Sequence, residues 1–218
     1  MRETAGAFGA EDAFEQRTVE TEGRAISGTA ANGAEVGEFE VEVVERAVGQ
    51  RNNSRRFDPT QNSDIATGTN TVAIDIDGET RIVSFDVGAT DNNRDALQSF
   101  ADAINEADTG ITAEVRETAS GEVRIRTTRD DTGAEATFDI HDLQGDAVAA
   151  TGADIERRAA RDVEVIVDGQ TVTSATNTIE LDGGDVTLQI NRTTDGPGHR
   201  RRGCRQRSPE RVRAGFRH

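Results

Sequence analysis

From Arg24 to Asn191 the chain is dominated by a two-residue rhythm. Glu38 to Val43 reads Glu-Phe-Glu-Val-Glu-Val, with Phe39, Val41 and Val43 on one face and carboxylates on the other. That is the period of a strand with one face in a core and one in water. The same period predicts strands at Arg24–Ala30 and Gly37–Ala47, and the Asn-Gly chemistry between them predicts that the two form a hairpin. Asn70–Gly78 and Glu79–Gly88 predict a second hairpin turning at Asp77-Gly78. Val163–Thr173 predicts a third, turning at Asp168-Gly169. Further strands are expected at Gly110–Glu117, Gly121–Thr128, Ala136–Asp142 and Asp185–Asn191.

One stretch breaks the rhythm. Between Asp95 and Ala107, Leu97, Phe100, Ala101 and Ile104 recur at three- and four-residue steps, the spacing of one helix face, until Thr109-Gly110 ends it. Buried against the neighbouring strands, its leucine, phenylalanine and isoleucine would contribute about 1.5–3 kcal/mol each. The helix is therefore expected to act as the lid of a small core. Glu11–Gln16 reads as the end of another helix. Two polar interruptions, Gly49–Asp64 and Ala159–Asp162, look like crossings between domains.

The predicted fold class is α+β, mainly β: an antiparallel β domain with a second α+β domain inserted, the insert carrying one short amphipathic helix. The expected boundaries are 1–16 for the helix end, 17–57 with 157–196 for the discontinuous β domain, and 58–156 for the insert. Residues 197–218 are expected to be a disordered basic tail.

Charge sharpens that last boundary. The 218 residues carry 25 basic and 41 acidic side chains, a net of −16, and none of the basic ones is lysine. Residues 198–218 alone hold eight Arg and one Glu, which leaves −23 on the rest. So acidic a body repels nucleic acid and anionic membrane surfaces. It fits the proteome of a halophile, where salt screens self-repulsion. A reading-frame shift just after Pro197 fits the abrupt change of sign better than a phosphate-neutralising basic tail or a plain disordered one: moved by one base, CGN arginine codons become the Val, Ala, Asp, Glu and Gly that fill the body. The tail is then functionless.

Little chemistry is available. His199 and His218 sit in the tail, and His141 reads as a solvated residue at a strand end, so no Ser–His–acid set can be built. A phosphate loop of the Walker type needs a lysine. Asp75–Glu79 and Asp182–Val186 resemble calcium loops but lack the full ligand pattern. Neither catalytic residues, nor a cofactor, nor a metal site is expected. The lone cysteine, Cys204, lies in the tail. No apolar run reaches the ~18–20 residues of a membrane span, and no cleaved signal peptide is expected at the N-terminus.

Taken together, three segments resemble the flagellar filament cap (hook-associated protein 2) family. "DALQSFADAINEADTGITAEV" followed by "GEVRIRTTRDDTG" looks like its short helix ending in Ile-Asn, here Ile104-Asn105, with a Gly-led strand from Gly110 and a Thr-Gly turn at Thr132-Gly133. "GTAANGAEVGEFEVEVVERAVGQRNNSRRF" looks like the segment before it, and "DVEVIVDGQTVTSATNTIELDGGDVTLQIN" like its return hairpin and closing strand. The likeness spans about residues 14–196. Phe39 stands where the family has tyrosine, and Val44-Glu45 where it has Gln-Leu.

The resemblance implies a structural motif at Leu97, Phe100, Ala101, Ile104, Asn105 and Gly110. It implies a structural protein, not an enzyme, exported without a cleaved signal to the distal tip of the filament. There such proteins assemble as a ring and promote flagellin assembly, so the expected partners are copies of itself and flagellin. The coiled-coil legs of the family are missing here, so the chain reads as head domains unable to cap alone. An extracellular adhesin or ligand-binding β module is the alternative. Genetic context beside a flagellin gene would discriminate.

A body at −23 should fold better as salt rises toward molar levels, where the Debye length shrinks to about 3 Å. Thermal melts followed by circular dichroism in low and high NaCl should show a rising midpoint, and equal midpoints would remove the halophile reading.

Overall fold

The computed structural model describes residues 17–21, 24–31, 34, 37–194 and 210–216, with residues 17, 18 and 210–216 described by backbone alone. In chain order the elements are β1 (Arg17–Thr21), β2 (Ile26–Ala30), β3 (Gly37–Glu45), β4 (Arg51–Asn53), β5 (Gly68–Ile76), β6 (Glu79–Val87), α1 (Asn93–Glu106), β7 (Ile111–Glu117), β8 (Val123–Arg129) and β9 (Asp139–Gln144). Next come α2 (Ala147–Thr151), β10 (Glu156–Arg158), β11 (Val163–Val167), β12 (Gln170–Ser174), β13 (Thr178–Leu181), β14 (Val186–Ile190) and β15 (Glu210–Phe216). The predicted helix end at Glu11–Gln16 lies outside the described residues.

The chain divides into a flanking unit, Met1–Arg46 with Glu164–His218, and a central unit, Ala47–Val163. The flanking unit holds a five-stranded sheet in the order β1-β15-β3-β11-β12 and a three-stranded sheet, β13-β14-β2. Val41 and Val43 of β3, with Val163, Val165 and Val167 of β11, are buried, as their alternation requires. The hairpin at Asp168-Gly169 forms with both residues at positive φ, 48° and 81°.

Two expectations for this unit are corrected. Strands β2 and β3 do not form a hairpin. β2 pairs instead with β14, Ile26 opposite Ile190 and Gly28 opposite Leu188. Alternation tells which face each strand buries but not which strand it pairs with. Gly28 seals the choice: a Cβ there would stand 2.7 Å from Val19 Cγ1 and 3.1 Å from Leu188 Cδ2.

Nor is the whole tail disordered. Glu210–Phe216 is a strand threaded between β1 and β3, with Val212 opposite Phe39 and Arg213 opposite Glu38. The segment Glu-Arg-Val-Arg-Ala carries its own two-residue period, and in register it sets arginine across from glutamate twice, at Arg213/Glu38 and Arg211/Glu40. Residues 195–209 lie outside the described residues.

In the central unit, a four-stranded sheet, β10-β4-β8-β7, and a three-stranded sheet, β6-β5-β9, share one core with α1. The hairpin β5–β6 turns at Asp77-Gly78, both at positive φ, 52° and 78°. Helix α1 begins two residues before its predicted start, because Asn92 caps it: the Asn92 side chain accepts the Asp95 N–H at 3.0 Å. Leu97, Phe100, Ala101 and Ile104 are all at most 1 % exposed, and the rings of Phe100 and Phe85 stack at 4.8 Å.

The first part of the polar run Gly49–Asp64, up to Ser54, is core rather than crossing. β4 lies inside a sheet, and Gln50, Asn52, Asn53 and Ser54 are buried. Their side chains supply bonds the backbone ladder leaves open. Gln50 donates from Nε2 to the Phe138 carbonyl (2.8 Å) and accepts the Phe138 N–H on Oε1 (3.1 Å). Ser54 Oγ accepts the Ile125 N–H at 3.0 Å. The ends of the unit are tied by reciprocal bonds between Val48 and Arg161, both 2.9 Å, which explains why it starts at Ala47 and not at residue 58.

Phe100→Asp would place a carboxylate in this core without a partner, a change expected to cost several kcal/mol. Limited proteolysis should then open new cleavage sites between Ala47 and Val163 while the flanking sheets stay protected. An unchanged digest would show that α1 is not needed for the core.

Candidate functional site

The six motif residues do not converge on a cavity. Leu97, Phe100, Ala101 and Ile104 are spent on the core, while Asn105 and Gly110 act at the junction between α1 and β7. Strand β7 is the edge of its sheet, so one row of its backbone groups has no strand partner. Asn105 fills part of that row: its Nδ2 donates to the Ala113 carbonyl (2.9 Å) and its Oδ1 accepts the Ala113 N–H (2.8 Å). An exposed side chain at the helix end thus behaves as one residue of a missing strand.

Gly110 has φ +76°, and a Cβ there would stand 2.4 Å from Arg129 Nη1. The absent side chain lets Arg129 reach the Gly110 carbonyl from Nη1 at 3.1 Å. Its Nη2 contacts Asp77 (2.6 Å) and Asp131 (2.8 Å), and the guanidinium is almost wholly buried. Arg129 therefore bolts the β5–β6 turn to the start of β7. Sequence reasoning misses this residue, although parity on β8 places it on the apolar face with Val123 and Ile125. Gln50 is missed too, because nothing in a polar run tells a buried amide from a solvated one.

Groups capable of chemistry stay apart. His141 lies on β9, half exposed, with Nδ1 3.5 Å from Asp75 Oδ2. Among the described residues no group of three or more His, Cys, Asp or Glu side chains could hold a metal. An open cleft of about 530 Å³ is lined by Arg55, His141, Asp142 and α2. Its polar groups are already engaged: Asp142 accepts the N–H groups of Val148 and Ala149, and Arg55 donates to the Ala149 carbonyl. No described helix is long and apolar enough to cross a membrane.

Charge is distributed unevenly over the central unit. On the solvent face of β10-β4-β8-β7 stand Arg51, Arg116, Arg124, Arg126 and Arg158, Arg116 opposite Arg124 and Arg158 opposite Arg51. Glu114 serves both Arg116 (3.3 Å) and Arg126 (3.5 Å). Burial, and next the charge of Arg51, hold Arg126 and Arg158 below the ordinary guanidinium pKa.

No family model matches the chain. Among curated proteins it is 24% identical over 177 residues to flagellar hook-associated protein 2 of Escherichia coli, covering 81% of this chain and 37% of that protein. The same protein of a second Escherichia coli strain is 25% identical over 164 residues, 75% of this chain and 35% of that one. The chain thus spans little more than a third of the length of these relatives.

Among solved structures, the D2-D3 domains of the flagellar cap protein FliD from Escherichia coli superpose with a TM-score of 0.67 at 22% identity, over 92% of this chain and 100% of that one. FliD from Pseudomonas aeruginosa superposes with a TM-score of 0.61 at 16% identity, over 89% and 86%. The fold is that of the D2-D3 domains of flagellar cap proteins.

Asn105→Ala should cost about 1 kcal/mol and leave the β7 edge open. Hydrogen exchange should show the Ala113 amide exchanging faster than in the wild type while amides along α1 keep their protection. An unchanged Ala113 rate would deny Asn105 this role.

Proposed function

We propose that this chain forms head domains of a flagellar filament cap, a structural component that acts at the distal tip of the filament and promotes flagellin assembly there. The observation that carries this reading is that sequence and fold agree over the same stretch. Most of the chain aligns with hook-associated protein 2, and nearly all of it takes the D2-D3 fold.

The site geometry suits a structural part. Buried Gln50 and Ser54 bond to backbone, the edge strand β7 is plugged by Asn105, and His141 faces the Asp75 carboxylate. Self-association into a cap and contact with flagellin belong to the same reading, as does export to the flagellum. The adhesin alternative draws no support from these relatives.

Gold-labelled antibodies raised against the chain should mark one end of isolated filaments from the source cells. Deleting its gene should release unpolymerised flagellin into the medium. Label spread over the cell body, with filaments intact after deletion, would refute the reading.

A further inference from the structure

The arginine face of the four-stranded sheet costs energy in an isolated chain. Arg116 stands directly across from Arg124, and Arg158 across from Arg51, where like charges destabilise a sheet. Five guanidinium groups share this face with Glu114, which serves two of them. The Nε atoms of Arg51 and Arg124 are buried without a hydrogen-bond partner among the described residues. Among the described residues, no carboxylate other than Glu114 is ion-paired with any of the five. That leaves positive charge on the face for a second molecule to meet.

A complement exists on the same unit. Helix α1 packs its apolar side on β6, β7 and β8 and turns Asp95, Asp102, Glu106 and Asp108 to solvent just along and beyond its length. Its last turn holds no basic residue, and none of these four is ion-paired among the described residues. Arg124 and Arg126 alternate with Val123 and Ile125, which are buried in the core that α1 shares. The positive face and the negative helix face thus lie on opposite sides of one core.

We propose that the arginine face of one copy docks on the acidic face of α1 in a second copy. This rests on the self-association contained in the cap reading and names the surfaces that make it. Because the two faces lie on opposite sides of one core, a two-fold contact cannot engage both at once, so the pairing is head-to-tail, the kind of interface that closes into a ring or runs on as a filament. Paired guanidinium–carboxylate contacts suit it, because Arg presents a planar fork to a carboxylate. A free polyanion would meet the net charge of the whole chain without finding this complement.

Sedimentation of the full chain over a range of concentrations tests the proposal. The wild type should assemble, while Arg116→Glu with Arg124→Glu should weaken assembly by at least about tenfold. Asp102→Arg with Glu106→Arg should do the same. Mixing the two doubly substituted chains should restore assembly, since each supplies the charge the other lost. Circular dichroism checks that each is folded; if the first is not, Arg124→Gln replaces it and should lower both the association constant and its salt dependence.

Substituted chains that assemble like the wild type, or mixtures that do not recover, overturn the arginine–helix contact and leave self-association to another surface. A wild type that stays monomeric at every concentration removes both the contact and self-association. Heparin bound by that monomer, and released by the arginine substitutions, would assign the face to a polyanion instead.

Discussion

The central unit depends on the stack of Phe100 on Phe85. It joins α1 to the three-stranded sheet, while Ile125 and Val123 bring the four-stranded sheet to the same core. The chain has eight phenylalanines and no tryptophan or tyrosine, so large apolar side chains are scarce and Val, Ile and Ala fill much of the remainder. A short helix with four apolar residues on one face can span what the small strand residues leave open. Once it lies there, its C-terminus is fixed beside the edge of β7, and that position brings Asn105 and Gly110 to their contacts.

Two sheets held by a helix leave backbone groups unmatched where strands diverge, and an unmatched buried group costs about 1–3 kcal/mol. The unit meets this with side-chain amides that imitate a strand residue. Gln50 pairs with both backbone groups of Phe138, and Asn105 with both of Ala113. The two solutions differ in setting. Gln50 is buried at a sheet junction, where its loss would orphan groups away from water. Asn105 is exposed at an edge, where water can replace it and where its further effect is to block another strand from adding there.

Strand and helix existence is legible in the sequence because it rests on local period. Phe39, Val41 and Val43 alternate, Leu97 to Ile104 recur helically, and Asp77-Gly78 and Asp168-Gly169 carry residues suited to positive φ. Features that depend on a distant partner are not legible in this way. β2 leaves its neighbour β3 for β14 although both show good alternation. β15 carries a clear two-residue period that its charge obscures. The run from Gln50 to Ser54 reads as a crossing because polarity stands in for exposure in any reading of sequence alone. The short β4, β10 and α2 have too few residues to show a period. At the candidate site the helix face and Asn105 come from spacing and resemblance, whereas Arg129 needs the Gly110 backbone to show why an arginine belongs in a core.

The absence of lysine acquires a meaning once the arginines are placed. An ammonium could not make the contacts Arg129 makes, one nitrogen to the Gly110 carbonyl and another to two carboxylates, from a nearly buried position. In this role the planar fork does the joining, and the positive charge is what must be compensated. On the solvent face of β8 and its neighbours the priority reverses: charge accumulates across strands, and the Nε groups of Arg51 and Arg124 find no acceptor among the described residues. The same residue type thus closes the fold on the inside of a sheet and gathers positive charge on its outside. That division gives an acidic protein a reason to keep twelve arginines within Ala47–Val163.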